Sequence, residues 1–301
     1  MNATPGKVLV SGSSGLIGSA LCTSLSASGY QVTRLVRGTS SGENQIAWDL
    51  DQPLSPESVS GFEAVVHLAG ESIVGRWNDE KKAAIRHSRV AGTKNLAKAL
   101  AEAPQPPQVF VSASAIGYYG NRGQETLRED SPVGRGFLAD VCREWEFATT
   151  AAADAGVRTV QTRFGIVLST AGGALAKMLP PFRLGAGGNM GNGRQWWSWI
   201  DLQDVVGAIE HVIKTSSLYG AVNVVSPNPA TNAEFTKTLA SVLSRPAVFP
   251  MPAFLARLAL GQMADELLLA SQRVESTKLI ASGYTFKQPN LRQALLAILK
   301  G

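Results

Sequence analysis

Residues 7–21, KVLVSGSSGLIGSAL, decide the fold. The run KVLVSG is continuously apolar rather than alternating, as a strand buried on both faces of a parallel sheet requires. LIGSALCTSLSASG then carries helical spacing and stops at Gly29. Between the two, Gly12, Gly15 and Gly18 recur at intervals of three residues. In a strand–turn–helix unit the first glycine makes the tight turn. The second lets a pyrophosphate lie against bare backbone, and the third lets the helix close on the strand. Free amides and the positive end of the helix dipole then face the phosphates. The segment Gly12, Ser13, Ser14, Gly15, Leu16, Ile17, Gly18 is therefore expected to bind a dinucleotide.

Outward from this turn, strands and helices alternate. YQVTRLVR, AVVHLAG (Ala64–Gly70), QVFVSAS (Gln108–Ser114) and RTVQTRFGIVL read as strands. EKKAAIRHSRVAGTKNLAKALAEA and GFLADVCREWEFATTAAADAG read as helices. This rhythm predicts an α/β fold, a doubly wound parallel sheet of the Rossmann kind. After Leu168 a glycine-rich loop leads to a helix at DVVGAIEHVIKT, a strand at AVNVVS and a helix at TNAEFTKTLASVLSR. Pro246, Pro250 and Pro252 then punctuate the chain. The expected division is a nucleotide-binding domain over 1–245 and a small, mostly helical substrate-side segment over 246–301.

Composition narrows the function classes. The 301 residues carry a net charge of +5 with basic groups scattered, and no zinc-finger, helix-turn-helix or RNP-type pattern points to nucleic acid. A mild positive balance suits an anionic small molecule. The two cysteines, Cys22 and Cys142, have no metal or disulfide spacing, and the three histidines are dispersed, so no metal is expected. No apolar run has the length of a membrane span, and the N-terminus lacks the apolar core of a signal peptide. The expectation is a cytoplasmic protein with a small-molecule substrate and neither nucleic-acid nor membrane partner.

The second strand ends in Arg37, about 20 residues past Gly18. A carboxylate there would accept from the ribose 2′-hydroxyl of NAD, whereas a guanidinium pairs with a 2′-phosphate. The expected cofactor is thus NADP(H). GTSSG (Gly38–Gly42) fits the pattern of a hydrolase nucleophile, but no strand-to-helix elbow surrounds Ser40 and it is set aside.

With GSSGLIG, HLAG, SASAIGYYG and WSWIDLQDV in view, the chain resembles the extended short-chain dehydrogenase/reductases. More closely, it is similar to their atypical epimerase-like branch, which ends in a short domain of unknown function. GNGRQWWSWIDLQDVV, NVVSPNPATNAEFTKTLASVLSRP and LLLASQRVESTKLIASGYTF extend the likeness over nearly the whole chain. The resemblance implies that Leu68, Ala69 and Gly70 let the cofactor pass over the sheet edge. It further implies that Arg89 stands near the cofactor and that Ser112 and Ser114 lie beside the nicotinamide ribose.

One part of the superfamily pattern is missing. Its tyrosine passes a proton while a lysine four residues on lowers the phenol pKa. None of the five tyrosines here has such a lysine, and alignment on Glu146 puts Leu138 and Cys142 in the two places. Ser114, Tyr118 and Tyr119 remain as catalytic candidates, with Arg163 as the cation that would serve a tyrosine. Glu71, Arg194 and Trp197 are candidates for holding substrate, the glycines of residues 185–193 giving a ligand access to backbone. The leading reading is an NADP(H)-dependent oxidoreductase or epimerase-like enzyme. The alternative is a non-catalytic NADP(H)-binding redox sensor that offers the apolar face of PMPAFLARLALGQMADELLLASQ to a protein partner.

Overall fold

Seven strands run parallel in one sheet: β1 (Lys7–Ser11), β2 (Gln31–Arg37), β3 (Gln45–Trp48), β4 (Ala64–His67), β5 (Val109–Ala115), β6 (Arg158–Phe164) and β7 (Gly220–Val224). This computed structural model describes residues 6–38 and 42–300, so Ser40 lies outside the described residues. In sheet order the strands read β7-β6-β5-β4-β1-β2-β3. The chain leaves β1 toward one edge and returns to β4 on its other side, which opens a crevice above their C-terminal ends.

The apolar runs explain the layering. Val8, Val10, Val66 and Val111 point to one face, into a core with Leu21 and Leu25 of α1 (Leu16–Ala27). Leu9, Val65 and Phe110 point to the other, against Leu96 and Leu100 of α2 (Asp79–Ala101). Helix α3 (Phe137–Phe147) lies on the α2 side of β5. It ends nine residues before the expected stretch does, and a short separate helix over Thr150–Asp154 follows. Helix α4 is Gly173–Arg183. Helix α5 (Leu202–Lys214) packs on α1, and α6 (Asn232–Leu243) opens with a full capping box of Thr231 and Glu234.

Two departures from the sequence reading have identifiable causes. Strand β3, at the sheet edge, is only four residues long and half-buried for much of its length, so its hydrophobic pattern carried no signal. RTVQTRFGIVL is not one strand. It breaks at Gly165, where a Cβ would stand 2.4 Å from the carbonyl oxygen of Ser198, and Ile166–Leu168 pairs instead with Trp199–Asp201.

The last part of the chain is tied to the rest by backbone and core. The carboxylate of Asp204 accepts from the amides of Lys287 and Gln288 at 2.7 and 2.8 Å, and Tyr284 donates to it at 3.0 Å. Helix α7 is Ala253–Leu260, and α8 (Leu291–Lys300) sends Ala294 and Leu295 into a core with Trp199 and Phe235.

Candidate functional site

The turn after β1 is built around the absence of two side chains. Gly12 has φ +67°, and a Cβ on it would meet the backbone carbon of Leu68 at 2.6 Å and the amide nitrogen of Ala69 at 2.7 Å. On Gly18 a Cβ would stand 2.2 Å from the Gly12 oxygen. Gly15 is the residue before α1, and no side chain caps that helix. The first turn of α1 thus offers its amides and dipole to an external anion. Leu16, Ile17, Leu68 and Ala69 are half-buried and Gly70 exposed, making an apolar floor along the crevice. Arg37 stands exposed at the end of β2, beside it.

Beneath the turn, Ser11 and His67 form a buried pair, Oγ to Nδ1 at 2.6 Å, and the Leu68 amide donates to the same Oγ at 3.2 Å. Sequence reading passed over both residues. Full burial pushes the His67 imidazole down to about 4, so it stays neutral in the native state. A free histidine titrates near 6.5, so the unfolded chain takes up this proton first. The resulting stability is whole above about pH 6.5 and is lost as pH falls toward about 4, a difference of about 3 kcal/mol. Urea unfolding across that window should show the loss. His67→Asn, whose carbonyl takes the place of Nδ1, should flatten it.

Arg89 lies under Gly70, whose Cβ would be 3.3 Å from the guanidinium carbon. It donates to the Glu71 carbonyl at 3.0 Å, and its guanidinium lies 5.1 Å from the centre of the Trp145 ring. It braces the crevice wall rather than standing on the helix surface. Glu71 pairs with Lys81 at 2.7 Å, and that ammonium, with Arg37 adding to it, holds its carboxyl below the usual range.

A second buried constellation spans β5, α3, β6 and β7. Arg163 grips Glu146 through two bonds of 2.8 Å, Nε to Oε1 and Nη2 to Oε2. Ser114 donates to the same Oε1 at 2.7 Å. Arg163 also donates to the Tyr119 hydroxyl at 2.9 Å, and that hydroxyl donates to Asn223 at 2.7 Å. The Arg163 guanidinium carbon lies 3.6 Å from the centre of the Tyr118 ring.

Several of the expected site residues meet protein partners in this structure. Tyr119 is 0% exposed, and burial pushes its phenol up to about 12. Ser114 is buried, and its hydroxyl donates to Glu146. Ser112 is likewise buried, below the crevice surface. Trp197 packs edge-on against Phe235 in the core and does not face a ligand. Glu71 is occupied by Lys81. Among the glycines of the 185–193 loop, Gly188 makes room for the Phe249 backbone, with a Cβ-to-oxygen distance of 2.1 Å, rather than for a ligand. Tyr118 stays half-buried over Arg163.

Leu138 and Cys142 do face the end of β5: a Cβ on Gly117 would meet them at 3.3 and 3.7 Å. Beside them opens a cavity of about 230 Å³ lined by Gly117, Leu138, Arg135, Asp265 and Glu266. Glu266 accepts from the Phe137 and Leu138 amides at 3.0 and 2.7 Å, closing the start of α3. A neighbouring cavity of about 310 Å³ is lined by Arg194, Gln124 and Asn192. Asn121, Arg257 and Leu269 line both. Of these residues only Leu138 and Arg194 were singled out from the sequence. The others come from segments far apart in the chain and carry no local motif.

Comparison with known proteins agrees with this geometry. The sequence model of the NAD dependent epimerase/dehydratase family matches residues 8–225, and one described as a domain of unknown function, DUF1731, matches residues 251–298. An epimerase family protein of Mycobacterium bovis is 40% identical over 290 residues, covering 96% of each chain. The crystal structure of the human epimerase family protein SDR39U1 with NADPH is 37% identical with a TM-score of 0.90, covering 98% of this chain and 99% of that one. A nucleoside-diphosphate sugar epimerase structure from Corynebacterium glutamicum is 38% identical with a TM-score of 0.81, covering 98% of this chain and 58% of that one.

Proposed function

Since the chain belongs to the NAD dependent epimerase/dehydratase family, we propose that it is an NADP(H)-dependent oxidoreductase or epimerase-like enzyme acting on a small anionic carbonyl compound or alcohol. The observation that carries this reading is the turn at Gly12 and Gly18, a cradle that a single Cβ would fill. Bound NADP(H) would supply a hydride at nicotinamide C4. The protein's part is to hold, orient and exclude water.

Arg37 is the group for the adenosine 2′-phosphate, and the NADPH in the human relative supports that choice. Arg194 and Arg257 give the larger cavity a positive lining suited to a carboxylate or phosphate on the substrate, whereas Asp265 and Glu266 balance Arg135 and Arg257 in the smaller one. Leu138 has no proton to give, and burial pushes the Cys142 thiol up to about 12. Asp265 is paired with Arg257 and Glu266 with the Phe137 and Leu138 amides, so proton exchange is assigned to the half-buried Tyr118 or to water.

Arg37→Asp tests the phosphate assignment by calorimetry. NADPH should weaken by at least about 30-fold, the loss of a charge-assisted pair and the arrival of a repulsive one, while NADH changes by less than about threefold. Equal effects on both cofactors would remove the argument for NADP(H). Consumption of NADPH with a panel of aldehydes, ketones and sugar nucleotides then identifies the substrate class. Tight binding without turnover across the panel would favour the sensor reading.

A further inference from the structure

One surface has no part in the cofactor crevice. Leu184, Val248, Phe249, Phe254 and Leu258 are 63–84% exposed, and Met251 and Leu255 stand beside them at 44 and 45%. They form one ridge because backbone bonds hold their segments together: Phe249 N to Gly187 O at 3.0 Å and Met251 N to Asn189 O at 2.8 Å. After Pro252 the ridge continues along α7, whose inward face buries Ala256. Contiguous apolar surface of this kind marks an interaction site.

Charge says what covers it. Exposed Arg183 and Arg245 border the ridge, joined by a bond from Arg245 Nε to the Arg183 carbonyl at 3.1 Å, and Arg257 lies on α7 itself. No Asp or Glu stands between Asp154 and Asp201, or between Glu234 and Asp265. Asp265 is already taken by Arg257 at 2.8 Å. A second copy of the chain would press arginines against arginines with no carboxylate to pair them. The ridge has neither Trp nor Tyr, two of the three residue types that most often anchor a protein partner. Apolar side chains rimmed by arginine suit a surface that is greasy below and anionic above.

We propose that the ridge from Leu184 through Leu258 docks the protein on an anionic phospholipid bilayer. The apolar side chains sink to the level of the acyl boundary, and Arg183 and Arg245 reach the lipid phosphates. No helix among the described residues is long and apolar enough to cross a membrane, and this contact needs no span. Ala253 and Arg257 of the same helix line the larger cavity, so docking sets its mouth at the lipid surface.

Flotation of the full chain with vesicles tests this. Vesicles of phosphatidylcholine with about 30 mol% phosphatidylglycerol should carry at least about tenfold more protein than pure phosphatidylcholine. The triple substitution Phe249→Glu, Phe254→Glu, Leu258→Glu should abolish flotation while leaving NADPH affinity unchanged, which shows that the variant is folded. Arg183→Glu with Arg245→Glu should lower it severalfold. Absence of flotation with either vesicle overturns the proposal. Flotation that survives the triple substitution also overturns it, as adsorption by charge alone. A wild-type dimer that the triple substitution dissolves would show instead that a second copy covers the ridge.

Discussion

Gly12→Ala is expected to lower NADPH affinity by at least about 100-fold in a protein that remains folded. The residue sits at φ +67°, a conformation costing an L side chain about 1–2 kcal/mol. The added methyl would meet Leu68 C at 2.6 Å and Ala69 N at 2.7 Å. Both are backbone atoms, so no side chain can swing aside. Overpacking of this kind costs about 1–3 kcal/mol more. Strain is relieved by parting the turn from the end of β4, and that separation widens the crevice meant for the cofactor. An affinity loss of about 100-fold corresponds to about 2.7 kcal/mol, within the strain available. Gly29→Ala is the control. It has φ +87° but nothing within 4 Å of its Cβ, so it should cost stability alone. Isotherms for the two variants separate a cradle from a merely tight turn.

Glu146→Ala should produce the largest loss of stability, about 3–5 kcal/mol. The Arg163 and Glu146 side chains are only 4% and 14% exposed. Burial works against the Arg163 charge, but the two bonds from Glu146 more than offset it and raise the guanidinium further above its ordinary range. Removing the carboxylate leaves a buried cation uncompensated and takes the acceptor from Ser114 as well. Thermal unfolding should shift down by roughly 10 °C for a chain of this size. Glu102→Ala, which breaks only the exposed 4.0 Å pair with Lys98, should shift it by less than about 1 °C. If Glu146→Ala moved the midpoint no more than Glu102→Ala, the network would not brace the sheet edge.

What the sequence revealed, and what it concealed, follows the range of the forces involved. The first strand, turn and helix are set by neighbours in the chain, so spacing alone was enough. The break at Gly165 depends on Ser198, and the glycines near Gly188 depend on the Phe249 backbone. Those contacts are distant in sequence and leave no local mark. Ser114, Tyr119 and Trp197 are residue types that face ligands as readily as cores. Only the positions of Glu146, Asn223 and Phe235 decide the matter. The missing Tyr–Lys pair, by contrast, was legible, because an absent motif needs no tertiary structure to be seen.

Bare backbone at the first crossover holds a diphosphate in this proposal, and Arg37 grips a further phosphate. Calorimetric titration of the unaltered protein with NADPH and then NADH tests this most directly. NADPH should bind saturably at micromolar concentration, and NADH should bind more weakly by at least about tenfold. No heat from either coenzyme at millimolar concentration would contradict it.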